Sequence, residues 1–375
     1  GKIDVVYIDP PYNTGSDGFR YKDKRILDKF PDGTEVPADH PFRHSYWLSF
    51  MEKRLDLERD LLSKNGVVFI SIDDNEMAQL KLLCDSIFGD NNVEVMIWHK
   101  VADDSGKLKI TYRFRREHEY IIVCYKQKDE TFFKKYLSDR NYKNEYTNPD
   151  NDPRGPYKQG IISTTEAKSK STGKNFYSVE TPSGKIITRQ WRFPKEEFDR
   201  LHKDNRIYYG KGGSSIPSEK VFINEQKETT PTSILTELGT AKTAGIDLEE
   251  LMGSKIFSYP KPVSLIKHLI KISSEKNSVV LDFFAGSGTT GQAVVESNQD
   301  DDGQRQFILV TNNDEVVNGK KHKIMSDICY PRVKKVAKLY KSGAKFYKTA
   351  FIGKNNILNA TDQDKIELAH NAGEL

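Results

Sequence analysis

Two short constellations could do chemistry. The first is Asp9-Pro10-Pro11-Tyr12, directly after the apolar run from Ile3 to Ile8. The two prolines hold the backbone extended and remove two N–H donors. What is left is a carboxylate on Asp9, an accepting carbonyl on Pro10 and the aromatic face of Tyr12. An exocyclic amino group on a nucleobase offers the complement, two N–H donors beside a flat ring. Its nitrogen is a poor nucleophile because the lone pair is delocalised into the ring. Two acceptors on its protons favour the tetrahedral geometry in which that lone pair can attack a methyl group. The alternative is a strand end broken by prolines, with Asp9 capping a turn.

The second constellation is Asp282-Phe283-Phe284-Ala285-Gly286-Ser287-Gly288-Thr289-Thr290-Gly291, with a Gly-x-Gly-x-x-Gly spacing. Glycines let a ligand approach the backbone, and a helix N-terminus behind them favours a carboxylate or a pyrophosphate. The spacing alone does not separate S-adenosylmethionine from a dinucleotide.

Both constellations need strands to hold them. Residues 3–8 predict a buried strand, and 42–63 predict a helix whose stop is Asn65-Gly66. A second buried strand follows at 67–72, then a helix to Phe88 that an Asp73…Glu76 capping box would start. Further on, a helix from Pro262 carries Val263, Ile266, Leu269 and Ile270 on one face. A strand at 279–283 leads through the glycines into a helix ending near Val295, then an exposed Asp300-Asp301-Asp302-Gly303 loop and a strand at 307–310. Strand and helix alternating over short connections predict an α/β fold with a parallel sheet, whose ligands sit at the C-terminal strand ends.

Between about His99 and Ser254 the sequence turns polar, and only Glu119–Tyr125 predicts a strand. This section interleaves bases with aromatics: Lys107, Lys109, Tyr112, Arg113, Phe114, Arg115 and Arg116, then Lys134, Lys135 and Tyr136. Arg189, Trp191, Arg192 and Phe193 follow, then Tyr208, Tyr209 and Lys211. Lys and Arg can neutralise phosphates and flat groups can stack on bases. An ordinary solvated surface with core aromatics is the alternative.

Across 375 residues the net charge is only +4, which by itself decides nothing about partners. Cys84, Cys124 and Cys329 lie too far apart for a metal knuckle, so neither a zinc site nor a disulfide framework is expected. No run approaches the roughly 18 apolar residues of a membrane span, and no signal segment is visible. A soluble intracellular protein without membrane contact is expected. The chain enters a strand pattern at once, which reads as a fragment of something longer.

Taken together, the two constellations resemble the DNA amino-methyltransferases, with their Asp-Pro-Pro-Tyr catalytic motif and Phe-x-Gly-x-Gly cofactor motif, here Phe284-Ala285-Gly286-Ser287-Gly288. The catalytic motif comes first, a recognition region next and the cofactor motif last, the circularly permuted order of the β group. Asp9–Gly15, Ser71–Glu76 and Lys345–Thr349 resemble modification (Mod) subunits of type III restriction–modification systems. The resemblance covers 1–98 and 255–351 well, and the middle only by position.

The resemblance implies a Rossmann-like S-adenosylmethionine-dependent methyltransferase sheet with an inserted mixed target-recognition domain. It implies a catalytic half at 1–98, a DNA-binding recognition domain at 99–254, a cofactor-binding half at 255–351 and a tail or further region from 352 to 375. The reaction implied is methyl transfer to adenine N6 in double-stranded DNA, the adenine being flipped from the helix. Asp9 and the Pro10 carbonyl would accept from the amine, Pro11 would stiffen the loop and Tyr12 would stack on the base. Asp282, Phe284, Ala285, Gly286, Ser287, Gly288 and Thr289 would line the cofactor, and Lys261 would reach its carboxylate, unless it is a solvated lysine before a helix. The acidic residue expected after strand 307–310 is displaced to Asp314 or Glu315, or replaced by Asn312, so the ribose contact stays unassigned. A homodimer and a restriction helicase–nuclease subunit are the partners implied. Cytosine N4 methylation, a nicotinamide oxidoreductase and a non-catalytic DNA-specificity subunit are the alternatives; the oxidoreductase leaves Asp9–Tyr12 unexplained.

Overall fold

The computed structural model describes residues 1–15, 23–37, 40–101, 114–136, 146–225, 228–313, 315–317 and 320–348. They form two compact units, one of the described residues up to 132 and from 233 to 348 and one of those within Phe133–Thr232.

The first unit opens with β1 (Ile3–Ile8), buried at every position but Asp4. The Asp4 carboxylate accepts from Ser63 Oγ (3.1 Å) and from the Val279 N–H (2.8 Å), so it ties the strand to both neighbours. Helix α1 (Ser45–Leu61) buries Trp47, Met51, Leu55 and Glu58 at helical spacing. Strand β2 (Leu62–Ile72) follows without a loop, so the helix ends before the expected Asn65-Gly66 stop. Gly66 instead lies inside β2, where a Cβ would come 2.9 Å from the Ile3 carbonyl, beside the register shift between Ile3 and Val5.

Helix α2 (Met77–Phe88) lacks the expected capping box. The Asp73 carboxylate accepts from the N–H and side chain of its neighbour Asn75. Glu76 is drawn inward, where it accepts from Asn13 Nδ2 (2.5 Å) and pairs with His44 Nδ1 (2.8 Å). Strands β3 (Val93–His99) and β4 (His118–Tyr125) complete this half.

The second unit holds β5 (Tyr157–Ile161), β6 (Phe176–Glu180), β7 (Ile186–Gln190), α3 (Lys195–Lys203), β8 (Ile207–Tyr208) and β9 (Ser218–Phe222). Its strands form an antiparallel β5-β9-β8 sheet and a β6–β7 hairpin. Trp191, Phe198 and Leu201 centre one core, and Tyr157, Tyr208 and Phe222 another. Lys220 is fully buried between Asp150 (2.6 Å) and Asp152 (2.8 Å), a paired burial that charge requires.

The chain then returns to the first unit with β10 (Ile234–Leu235), α4 (Ala241–Met252), α5 (Val263–Ser273), β11 (Val279–Asp282), α6 (Thr289–Asp301), β12 (Gln306–Leu309) and α7 (Tyr330–Leu339). Asp300 and Asp301 close α6 and do not form the expected loop. Acids at a helix C-terminus oppose its dipole, and buried Arg305 offsets this through two bonds to Asp301 (2.9 and 2.7 Å).

One seven-stranded sheet runs in the order β10-β3-β4-β2-β1-β11-β12. Its pairs are parallel except the two made by β4. The fold is therefore α/β with a mostly parallel central sheet. The expected boundaries of the insertion narrow accordingly. Residues 118–125 form a central strand of the main sheet, and β10 and α4 also belong to the first unit; the separate unit is 133–232, not 99–254. Hydrogen bonding to β2 on one side and β3 on the other holds β4 there, a long-range pairing that local sequence does not encode. The tail from 352 lies outside the described residues. Among the described residues no helix is long and apolar enough to cross a membrane.

Candidate active site

The strand directions gather the candidate residues. The C-terminal ends of β1, β2, β3, β11 and β12 lie along one edge of the sheet, and β4, running the other way, starts there. Asp9, Lys100, Glu119 and Asp282 therefore share an edge, with Glu119 opposite Trp98 in the β3–β4 register.

The loop after β1 is pinned from α1 and α2. Trp47 Nε1 donates to the Pro11 carbonyl (2.7 Å) from a fully buried position. Asn13 has the left-handed backbone (φ 59°), and its side chain is fixed by Glu76 on one side and the Arg25 N–H (2.8 Å) on the other. Among the described residues no donor reaches the Pro10 carbonyl. Prolines thus remove the donors, and distant side chains supply the anchoring.

Asp9 sits at the centre of an ion network. Its Oδ1 accepts from Tyr12 OH (2.8 Å) and from Lys261 Nζ (2.7 Å). The same ammonium donates to Tyr12 OH (2.7 Å) and pairs with Glu119 Oε2 (3.4 Å), while Lys100 Nζ holds Glu119 Oε1 (3.0 Å). Burial works to lower the Lys261 pKa, but the carboxylates of Asp9 and Glu119 hold it above the ordinary value. Burial likewise works to raise Glu119, and Lys261 with Lys100 holds it below the usual carboxylate range. Burial, Asp9 and Glu119 push the Tyr12 phenol well up, so its hydroxyl stays a donor.

The glycine-rich turn links β11 to α6. Asp282 is buried; its Oδ1 accepts from the Phe284 N–H (2.9 Å) and its Oδ2 from Thr290 Oγ1 (2.5 Å). Burial raises its pKa to about 7 against those bonds. Gly288 has φ 82°, and a Cβ there would meet Cys329 Sγ and Val333 Cγ2, each at 3.1 Å. At Gly291 a Cβ would lie 2.8 Å from Leu309. These two glycines are required by packing against the strand and helix behind the turn. Buried Arg332 of α7 locks the turn, donating to Ser287 Oγ and Thr289 Oγ1 (both 2.8 Å) and to Gln292 Oε1 (2.8 Å).

A cleft of about 1190 Å³ runs along this edge of the first unit, reaching Asp9, Pro11, Phe50, Phe284, Asn312 and Asn313. The structure thus brings Asp9, Pro11 and Phe284 to one cleft, whereas Pro10, Tyr12, Asp282 and Ala285–Thr289 do not line it. It places Lys261 on Asp9 and Tyr12 and not at the glycine-rich turn. Asn312 and Asn313 reach the cleft, and Asn313 is engaged by Ser326. Asp314 lies outside the described residues, as do Lys107, Lys109, Tyr112, Arg113 and Thr349. Phe114 is 99% exposed, whereas Trp191, Tyr208 and Tyr209 are core residues of the second unit. Sequence reasoning missed Glu119, Lys100, Glu76, Trp47 and Arg332. Each lies on an element whose approach to the site is set by tertiary pairing; only the acidic start of β4 was a local signal.

The same edge carries the carboxylate-proline-proline-tyrosine loop after β1 and the glycine-rich turn after β11. The DNA methylase family model, covering N6 and N4 methyltransferases, matches residues 3–353, and the chain belongs to that family. It is 36% identical over 356 residues to the Mod subunit of the type III restriction-modification enzyme StyLTI of Salmonella typhimurium, covering 89% of this chain and 53% of that protein. It is 34% identical over 372 residues to the EcoPI Mod subunit of Escherichia phage P1 (86% and 55%). The type II methyltransferase M.KpnI of Klebsiella pneumoniae is 29% identical over 344 residues (83% and 75%). The chain spans about half the length of these two Mod subunits.

Proposed function

We propose that this chain methylates adenine N6 in double-stranded DNA, using S-adenosylmethionine, as the modification subunit of a restriction–modification system. The observation that carries the reading is the pair of acceptors beside the cleft. Asp9 Oδ2 and the Pro10 carbonyl have no donor among the described residues, while Tyr12 stands beside them. An amine presenting two N–H groups satisfies both, and the lone pair it frees points at an incoming methyl. The amine faces the major groove inside a paired stack, so the base must leave the helix to meet this loop. A carboxylate at the first motif position favours adenine over cytosine N4, which remains the second reading because the family includes both.

The cleft supports the cofactor reading: Phe50 and Phe284 line it and it reaches Asp9. Phe284, Ala285, Gly286, Ser287, Gly288 and Thr289 would hold it, with Asp282 fixing the turn from beneath. When bound, S-adenosylmethionine supplies a methyl group on a positively charged sulfur. The chain's own part is to orient the amine and hold the Asp9 carboxylate through Oδ1. The second unit (133–232) would read the target sequence. Two relatives are named as subunits, which supports a restriction partner; a homodimer and a cytoplasmic location complete the proposal.

The test is transfer of labelled methyl from S-adenosylmethionine to DNA, followed by nucleoside analysis. N6-methyladenine is expected. N4-methylcytosine would move the reading to the second base, and cofactor binding without any product would reduce the chain to a specificity module.

A further inference from the structure

We propose that Glu119 is a positioning residue: by sharing the Lys261 ammonium and the Tyr12 hydroxyl with Asp9, it fixes Asp9 through Oδ1 and leaves Oδ2 for the target base. The proposal rests on the methyl-transfer reading above.

The bonds to Asp9 are one-sided. Tyr12 OH and Lys261 Nζ both reach Oδ1, at 2.8 and 2.7 Å, and among the described residues nothing reaches Oδ2. A carboxylate held at one oxygen is oriented without losing the other as an acceptor. Glu119 adds a second anchor to the same groups: it pairs with the Lys261 ammonium (3.4 Å) and offers Tyr12 OH a second acceptor at 3.1 Å, so neither donor is free to move onto Oδ2 without giving up a contact.

Burial gives these contacts weight. The Lys261 and Glu119 side chains are 10% and 13% exposed, so solvent screens them weakly. Lys100 on the other oxygen of Glu119 balances the charge at two carboxylates against two ammoniums. The arrangement also needs β4 to run antiparallel, since only then does its first turn of residues meet the end of β1. The charged and titratable groups facing Asp9 and Glu119 are Tyr7 of β1, Tyr12, Lys261, Lys100 after β3, Asp73 after β2 and Asp282 of β11.

The test compares wild type with Glu119→Gln, Glu119→Asp and Lys261→Met in methyl transfer to DNA, reading kcat and KM separately on folded protein. Glu119→Gln and Lys261→Met should lower kcat by about 10- to 100-fold while KM for S-adenosylmethionine stays within about threefold. Glu119→Asp keeps the charge but not the full reach, so its kcat should fall less than that of Glu119→Gln. Should Glu119→Gln fail to fold, Lys261→Met carries the same split of kcat against KM. A cluster that only braces β4 would lower Tm and leave kcat per folded enzyme unchanged: unchanged kcat in Glu119→Gln or in Lys261→Met overturns the proposal alone. A wild type that transfers no methyl to any DNA overturns the functional reading beneath it.

Discussion

The ammonium of Lys261 lies 2.7 Å from Oδ1 of Asp9, although 252 positions separate them in sequence. The parallel pairing of β1 with β11, Val5 opposite Val280 and Val6 opposite Leu281, makes that contact possible. Inserting a separate unit between the two halves does not disturb it, because the sheet closes the halves on each other. The same pairing sets Asp9 beside the glycine-rich turn.

Arg332 should matter to the cofactor without touching it. Its guanidinium satisfies the hydroxyls of Ser287 and Thr289 inside the protein. Arg332→Met leaves both without that donor, at a cost on the order of 1–3 kcal/mol. We expect a lower Tm and a Kd for S-adenosylmethionine raised about tenfold, by calorimetry. Unchanged affinity with a lowered Tm would confine Arg332 to packing.

Asp282 predicts a pH dependence. Burial raises its folded pKa to about 7, while an unfolded aspartate titrates near 4. The folded state therefore holds this proton more tightly. Its contribution to stability is complete below about pH 4 and is lost as pH rises through about 7, on the order of 4 kcal/mol at most. Asp282→Asn cannot ionise, so its Tm should fall less than that of wild type between pH 5 and 8. Parallel curves would contradict the assignment.

Much of this was legible in the sequence. The runs at 3–8, 67–72 and 279–282 are buried strands, and a chemical motif follows two of them. The rest depended on distance. Glu119 begins a strand whose partners are β2 and β3, and nothing within 118–125 names them. Asp73 and Glu76 carry the spacing of a capping box, yet Asn13 and His44 outcompete the helix for the Glu76 carboxylate. Lys261 belongs to a motif near the cofactor turn, but opposite charge places it on Asp9. Of the aromatics between 107 and 220, Trp191 and Tyr208 build cores, because a unit as small as 133–232 needs large side chains to bury.

Exchanging residues 133–232 for the corresponding unit of a relative should change the sequence that is methylated and leave the methylated base unchanged. Sequencing of modified DNA reads both. Unchanged specificity would place recognition elsewhere.

The most direct measurement pairs wild type with Asp9→Ala, supplied with labelled S-adenosylmethionine and DNA, and resolves the nucleosides afterwards. Label should appear in N6-methyladenine with wild type. With Asp9→Ala transfer should be abolished, while the cofactor Kd stays within about tenfold. Turnover retained by Asp9→Ala, or label in N4-methylcytosine, would contradict the account.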